Sequence, residues 1–301
     1  MPELPDVTIY QERLRALLVG DVLRELRLLS PFVLRSVAPA PAVLHGRELM
    51  DVARIGKRLV FDFGDEHFLV VHLMIAGRLQ WYPGAAKLGG RIDLAVFEFA
   101  RGALVLTEAG SKKRASLHVV HGRTELAEFE RGGLDVRTAG AEEFAARLRL
   151  ENRTVKRALT DPRLFDGIGN AYSDEILHRA RLSPIAWTSR LDDATVERLR
   201  LAAIAVLEAW IERLRRETGA GWPKKVTAFR DGMAVHGRYR EPCPDCGAPV
   251  QRIRYADNEC NYCAQCQCDG RLLADRGLST LLKGDWPKTL AELEERRRGG
   301  R

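Results

Sequence analysis

No apolar run in this sequence approaches the roughly 20 residues that a membrane-spanning helix requires, so a membrane protein is not expected. The opening Met1-Pro2-Glu3-Leu4-Pro5-Asp6 lacks the basic and apolar blocks of a secretory signal, which points to the cytoplasm. Cysteine is missing from the first 242 residues, and all six copies fall between Cys243 and Cys268. In a reducing compartment so tight a cluster is better used on a metal than in disulfides. No internal repeat is present, which excludes solenoids and propellers.

What the chain has in excess is positive charge. Its 48 Lys and Arg stand against 41 Asp and Glu, a net +7, and this favours an anionic partner such as nucleic acid. A length of 301 residues is about two ordinary domains, enough to bury real cores.

The texture changes along the chain. Val7, Tyr10, Leu14 and Leu17 recur at helical spacing, with Pro5 and Asp6 suited to a first turn and Gly20 to the stop, which predicts a helix over 4–18. From about 22 to 120 the sequence turns to short β-prone runs such as 59–63, 68–73, 92–99 and 103–106. Gly64-Asp65 and Arg101-Gly102 separate neighbours at hairpin distance, so this part reads as a mostly antiparallel β-sandwich or barrel. Residues 132–140 break both periodicities, and helices are expected near 141–150, 153–160, 170–180 and 192–217, the last capped by Asp192. A domain boundary near 135–140 follows.

Cys243-Pro-Asp-Cys246 and Cys263-Ala-Gln-Cys266 form two close pairs that a hairpin can gather around one tetrahedral Zn²⁺. Cys260 competes with Cys266 as a ligand but breaks the two-residue spacing of one arm. The ligands are therefore assigned to Cys243, Cys246, Cys263 and Cys266, and the ion is expected to be structural.

The start of the chain suggests a nucleophile. Removal of Met1 would leave Pro2 with a free secondary amine, and an α-amino group is about a tenth unprotonated at neutral pH, far more than an ordinary lysine. Such an amine can attack C1′ of a deoxyribose, displace the base and leave an iminium ion that promotes strand cleavage by elimination. Glu3, adjacent, is placed to shuttle protons. A proline ahead of a first helix also serves simply to start the helix.

Taken in order, residues 2–7 (Pro-Glu-Leu-Pro-Asp-Val), Gly56-Lys57-Arg58-Leu59, residues 72–79 beginning His72-Leu73-Met74-Ile75, residues 167–175 beginning Gly167-Ile168-Gly169-Asn170, Val235-His236-Gly237-Arg238 and the cysteine module resemble the formamidopyrimidine-DNA glycosylase and endonuclease VIII family. The resemblance spans residues 2–266. It implies a bifunctional DNA glycosylase and apurinic/apyrimidinic lyase of base excision repair, acting as a monomer on double-stranded DNA that contains damaged bases or abasic sites. The implied fold is α+β and multidomain: a β-sandwich with a leading helix, a helix-two-turns-helix domain and a C-terminal zinc ribbon, with DNA in the cleft between the halves. The corresponding limits are 1–135, 136–235, 236–268 and a partly disordered extension at 269–301. A nucleoid location in the cytoplasm follows from the DNA substrate. Flipping of the damaged nucleotide is required, because C1′ of a stacked nucleotide is out of reach of a nucleophile.

By the same matching Pro2 is the Schiff-base nucleophile, Glu3 the acid/base, and Lys57 a strand lysine that contacts phosphate. Gly169 and Asn170 hold a second phosphate at a helix start, although Asn170 could equally be the helix cap. The chain also departs from the family pattern. Asp6 stands where a glutamate is usual. The methionine expected to fill the DNA void aligns with Ile75, with Met74 one residue earlier, and pleat parity lets only one of them face DNA. The loop that probes the opposite strand reads 107–114 without an aromatic, leaving Lys112, Lys113 and Arg114 for phosphate. In the zinc hairpin Asn258 replaces an arginine, with Arg252 and Arg254 as substitutes. The stretch Gly219 to Lys225, near the lesion-covering loop of relatives, is short. These departures motivate a second hypothesis, a non-catalytic damaged-DNA binding protein on the same scaffold.

Overall fold

The computed structural model describes residues 1–86, 88–224, 226–255, 258–273 and 287–299; Lys225 and part of the expected 269–301 extension (274–286, 300–301) lie outside them. Among the described residues no helix is long and apolar enough to cross a membrane.

Helix α1 spans Leu4–Leu18. Pro5 sits in its first turn, and the Asp6 carboxylate accepts the Glu3 backbone N–H at 3.0 Å as part of a capping box. Val7, Tyr10, Leu14 and Leu18 form its buried stripe, Leu17 being only half-buried.

Nine strands then build two antiparallel sheets. The strands are β1 (Val22–Leu28), β2 (Arg47–Glu48), β3 (Asp51–Ile55), β4 (Arg58–Asp62), β5 (His67–His72), β6 (Gly77–Tyr82), β7 (Asp93–Phe99), β8 (Ala103–Glu108) and β9 (Ser116–His121). One sheet runs β2-β1-β7-β8-β6 and the other β3-β4-β5-β9. The expected hairpins at Gly64-Asp65 and Arg101-Gly102 join β4 to β5 and β7 to β8. Between the sheets and α1 lies one core containing Leu23, Leu59, Phe61, Leu69, Phe97, Leu104 and Leu117. The opposite face of the four-stranded sheet is covered too, Val60, Phe68, Val70 and Val120 packing under Leu126 and Phe129. Burial on both faces explains why these strands read as continuous apolar runs rather than as alternation.

Beyond residue 122 the chain is largely helical: α2 (Arg123–Ala127), α3 (Ala141–Arg149), α4 (Val155–Thr160), α5 (Asn170–Arg179) and α6 (Asp193–Thr218). Asp192 caps α6, its carboxylate accepting the Thr195 N–H at 2.8 Å. A short hairpin follows, β10 (Gln251–Arg254) with β11 (Glu259–Tyr262), and then α7 (Ala264–Cys268).

The chain divides into two compact units, 1–133 with 209–227, and 134–208 with 228–301. These units cut across a linear division at 135, because residues 209–227 return to the first. Trp222 packs on Tyr10 at 5.5 Å between ring centroids and donates its indole N–H to the Leu79 carbonyl at 2.8 Å. Arg215 forks onto Glu12 at 2.6 and 3.0 Å. Both contacts join residues some 140 to 200 positions apart, which local periodicity cannot report.

Candidate active site and metal centre

In the first unit, Pro2, Glu3 and Asp6 are all buried at the start of α1. Burial pushes the α-amino group of Met1 below its ordinary value, with Arg78 and Lys57 acting in the same direction and Glu3 and Asp6 opposing it. The amino end of the chain therefore sits among two carboxylates and two cations in a poorly solvated place, where a free amine is held unprotonated more readily than in water. Arg78, on β6, is a member of this group that sequence reasoning passed over.

Lys57 is not a strand residue. Ile55 pairs with Arg58, so Gly56 and Lys57 form the two-residue tip of the β3–β4 hairpin. Lys57 is half-buried at this tip, close enough to the amino end and to His72 for its charge to act on both. His72, at the far end of β5, pairs in register with Arg58. Its pKa is pulled down to about 4, first by burial and then by the charges of Arg58, Lys57 and His118. A histidine held neutral in the fold but free to protonate in the unfolded chain costs stability as the solution acidifies. The loss begins near pH 6.5, is complete near pH 4, and amounts to about 3 kcal/mol at most. We expect His72→Gln to flatten the slope of urea-unfolding free energy over that window; an unchanged slope would remove this assignment.

Met74 and Ile75 lie in the turn between β5 and β6, so pleat parity does not decide between them. Gly77 makes this turn possible: its N–H donates to the Leu73 carbonyl at 2.8 Å, and a Cβ there would stand 2.3 Å from that oxygen. Ile75 is 53% exposed, whereas Met74 is half-buried with φ +50°, so of the two Ile75 presents the more accessible side chain. Lys112, Lys113 and Arg114 are exposed on the 109–115 loop. The base of that loop is fixed by Glu108, whose buried carboxylate accepts the Arg114 and Ala115 N–H groups at 2.8 and 3.0 Å. The Lys113 ammonium meets the Glu108 carbonyl.

In the second unit, Gly167 takes φ +75° in the turn ahead of α5, a conformation that favours glycine. Gly169 is the residue that caps α5, and Asn170 is its first helical position rather than its cap. Asn170 spends one amide hydrogen on the Glu259 carbonyl at 2.9 Å, which ties the helix start to the cysteine-bearing hairpin. Arg254 and Asn258 are exposed near the tip of that hairpin. Arg252 is engaged, bonded to Glu259 at 3.1 Å and stacked 4.1 Å over Tyr239.

Helix α5 also carries acids that the sequence reading did not single out. Both are buried. Asp174 accepts from Lys156 Nζ at 2.5 Å on one oxygen, and from His236 Nδ1 at 2.8 Å and the Asn261 N–H at 3.1 Å on the other. Burial alone would raise its pKa, but Lys156 and His236 outweigh that and hold it low. Glu175 accepts the N–H groups of Ala234, Val235 and His236 at 2.6, 3.0 and 2.9 Å, yet burial still pushes its pKa up. Two consecutive acids inside a helix whose neighbours on both sides are buried were the available signal. Together they fasten the 234–237 segment and β11 to α5.

The four assigned cysteines converge, Cys243 lying 3.9 Å from Cys266 and Cys246 3.4 Å from Cys263 between sulfurs. A tetrahedron with metal–sulfur bonds of 2.3 Å has edges of about 3.8 Å, so this set fits a tetrahedral thiophilic ion. Cys260 and Cys268 are elsewhere, buried with Ile253 and Tyr262, and burial pushes the Cys260 thiol well up. They fill a small core, which resolves the competition between Cys260 and Cys266 in favour of Cys266.

Residues 1–168 match the formamidopyrimidine-DNA glycosylase N-terminal domain, and residues 135–219 match the formamidopyrimidine-DNA glycosylase H2TH domain. The formamidopyrimidine-DNA glycosylase of Thermus thermophilus is 33% identical over 280 residues, 90% of this chain and 100% of that protein. An uncharacterized formamidopyrimidine-DNA glycosylase-like protein of Mycobacterium tuberculosis is 39% identical over 151 residues, 50% of this chain and 94% of its own length. The fold is also that of the Lactococcus lactis formamidopyrimidine-DNA glycosylase solved with abasic-site DNA, with a TM-score of 0.77 at 24% identity over 88% of this chain and 99% of that one. The order of motifs, the sandwich and helical units, and matches that cover most of the sequence have one common explanation: the chain belongs to the formamidopyrimidine-DNA glycosylase family.

Proposed function

We propose that this protein is a bifunctional DNA glycosylase and abasic-site lyase that works through Pro2 after loss of Met1. The observation that carries the reading is the buried start of α1, where Pro2 and Glu3 stand side by side out of solvent, in surroundings that already lower the α-amine of Met1. The Pro2 nitrogen bonds to C1′ of the damaged nucleotide, and the C1′–base bond breaks with its electron pair leaving on the base. The base takes up the proton released by the amine. Glu3 then protonates the ring oxygen as its bond to C1′ breaks, giving an iminium ion. The iminium acidifies C2′–H; removal of that proton expels the 3′ phosphate, and water releases the enzyme.

In the first unit Lys57, Lys112, Lys113 and Arg114 hold phosphates; in the second Gly169, Asn170 and Arg254 do so, with Asn258 near the same hairpin tip as Arg254. Ile75, with Met74 behind it, fills the space left by the flipped base. Asp6 acts by fixing the start of α1 and the Glu3 backbone. Cys243, Cys246, Cys263 and Cys266 bind a structural Zn²⁺, which would supply folding energy to the hairpin and no chemistry. By role the chain divides into 1–135 for chemistry, 136–235 for phosphate holding, 236–268 for the metal ribbon and an extension at 269–301. Such an enzyme works in the cytoplasm, on nucleoid DNA.

The test is reductive trapping. Borohydride added to the enzyme and abasic-site duplex should give a covalent adduct whose peptide map places the link on Pro2, and Pro2→Gly should cut trapping by at least tenfold. Stoichiometric DNA binding without adduct, in protein shown by mass to lack Met1, would leave only a binding protein.

A further inference from the structure

One side chain next to the cysteine cluster is unexplained by anything above. His178, in the last turn of α5, is 3% exposed, and its Nε2 lies 3.3 Å from the sulfur of Cys243, itself 2% exposed. We propose that His178 is a positioning residue of the metal centre: its Nε2–H donates a hydrogen bond to the Cys243 thiolate and so holds that ligand and the ribbon to α5. This inference rests on the Zn²⁺ reading of the four cysteines.

A metal-bound thiolate is an acceptor, so the only complementary partner at that distance is a nitrogen bearing hydrogen, which selects the Nε2–H tautomer. Among the described residues, the carboxylate recorded near this nitrogen does not compete. Asp245 is 3.9 Å from Nε2 and is held instead by Arg181 at 2.8 Å. Two of the other three sulfurs receive backbone donors: the Cys266 N–H reaches Cys263 at 3.4 Å, and the Ala248 N–H serves Cys246. Cys243 thus obtains from a side chain on α5 what Cys246 and Cys263 obtain from backbone N–H groups.

Placement makes the bond consequential. Both partners are buried, so water does not dilute the interaction. Helix α5 carries Asn170 at its first position and His178 two turns on. One rigid rod therefore links the phosphate-holding residue to the metal ligand. Outer-shell donors to metal ligands commonly change metal affinity by 10- to 100-fold when removed.

The experiment uses full-length protein with bound metal. Zinc release to a chromogenic chelator is timed for wild type, His178→Phe and His178→Gln, and each is also examined with cobalt in place of zinc. We expect His178→Phe to release zinc about 10- to 100-fold faster and to move the sulfur-to-cobalt charge-transfer bands to longer wavelength. His178→Gln, which keeps an N–H donor, should restore part of both, whereas a role in filling space would be met by phenylalanine. Equal release and equal spectra in His178→Phe would overturn the proposal. A second measurement needs no variant: long-range ¹H–¹⁵N correlation of the zinc-bound wild type should show His178 as the Nε2–H tautomer, and an Nδ1–H tautomer would overturn it. Wild type that takes up no stoichiometric zinc or cobalt would sink the metal reading itself, a result distinct from a bound metal that ignores residue 178.

Discussion

Replacing Glu3 by Gln is expected to slow base release by 10²- to 10⁴-fold, about 3 to 5 kcal/mol of barrier, while leaving trapping on a preformed abasic site within roughly tenfold of wild type. The split follows from where protons move. Excision of a base needs the ring oxygen protonated as the sugar opens, and an amide cannot supply that proton. At an abasic site the sugar already samples the open aldehyde, so the amine meets its target without that help. Gln keeps the size and the acceptor oxygen of Glu3, and the Asp6 side of the capping box, the Glu3 N–H at 3.0 Å, is untouched. Thermal unfolding should therefore barely move. Single-turnover excision and borohydride trapping, run side by side on the same preparation, read the two arms. Equal loss in both would make Glu3 a structural cap, and no loss in either would move the acid to another group.

This separation of cap from catalyst is where sequence reasoning was least decisive, because a Pro-Glu start suits either role with the same residues. Elsewhere its reach followed the range of the interaction. Helix α1, the two hairpins and the cysteine pairs rest on spacing within a few residues, and all were legible. Lys57 was placed in a strand by the family resemblance; only the pairing of Ile55 with Arg58 puts it at a hairpin tip. The expectation that Asn170 could cap the helix fails because the extended Gly169 is the cap, a choice that depends on backbone angles the sequence does not print. The return of residues 209–227 to the first unit depends on Trp222 finding Tyr10 and Leu79, partners without any local signature. The acids at 174 and 175 were quoted within a motif, yet their weight lies in contacts with residues 156, 234–236 and 261.

That last group sets the largest expected loss of stability. Asp174→Ala should destabilise the protein by about 3 to 5 kcal/mol, the usual result of stranding one member of a buried ion pair. Asp174 has no exposed surface and serves three donors. Without it the Lys156 ammonium loses its counter-charge, and His236 Nδ1 and the Asn261 N–H each lose an acceptor. Removing Lys156 as well, in a Lys156→Met and Asp174→Ala double variant, should recover part of the loss, because the stranded charge is then gone. A urea double-mutant cycle measures that coupling; additivity within about 0.5 kcal/mol would mean the pair is not the source. A functional consequence accompanies the structural one. Lys156 also donates to the Asn170 carbonyl at 2.8 Å, so a displaced lysine loosens the start of α5, where the proposed phosphate contact is made. In Asp174→Ala, assayed below its melting range, abasic-site DNA should bind less tightly and the slope of log affinity against log salt should fall by about one. Loss of stability with an unchanged salt slope would confine Asp174 to the core and detach it from DNA.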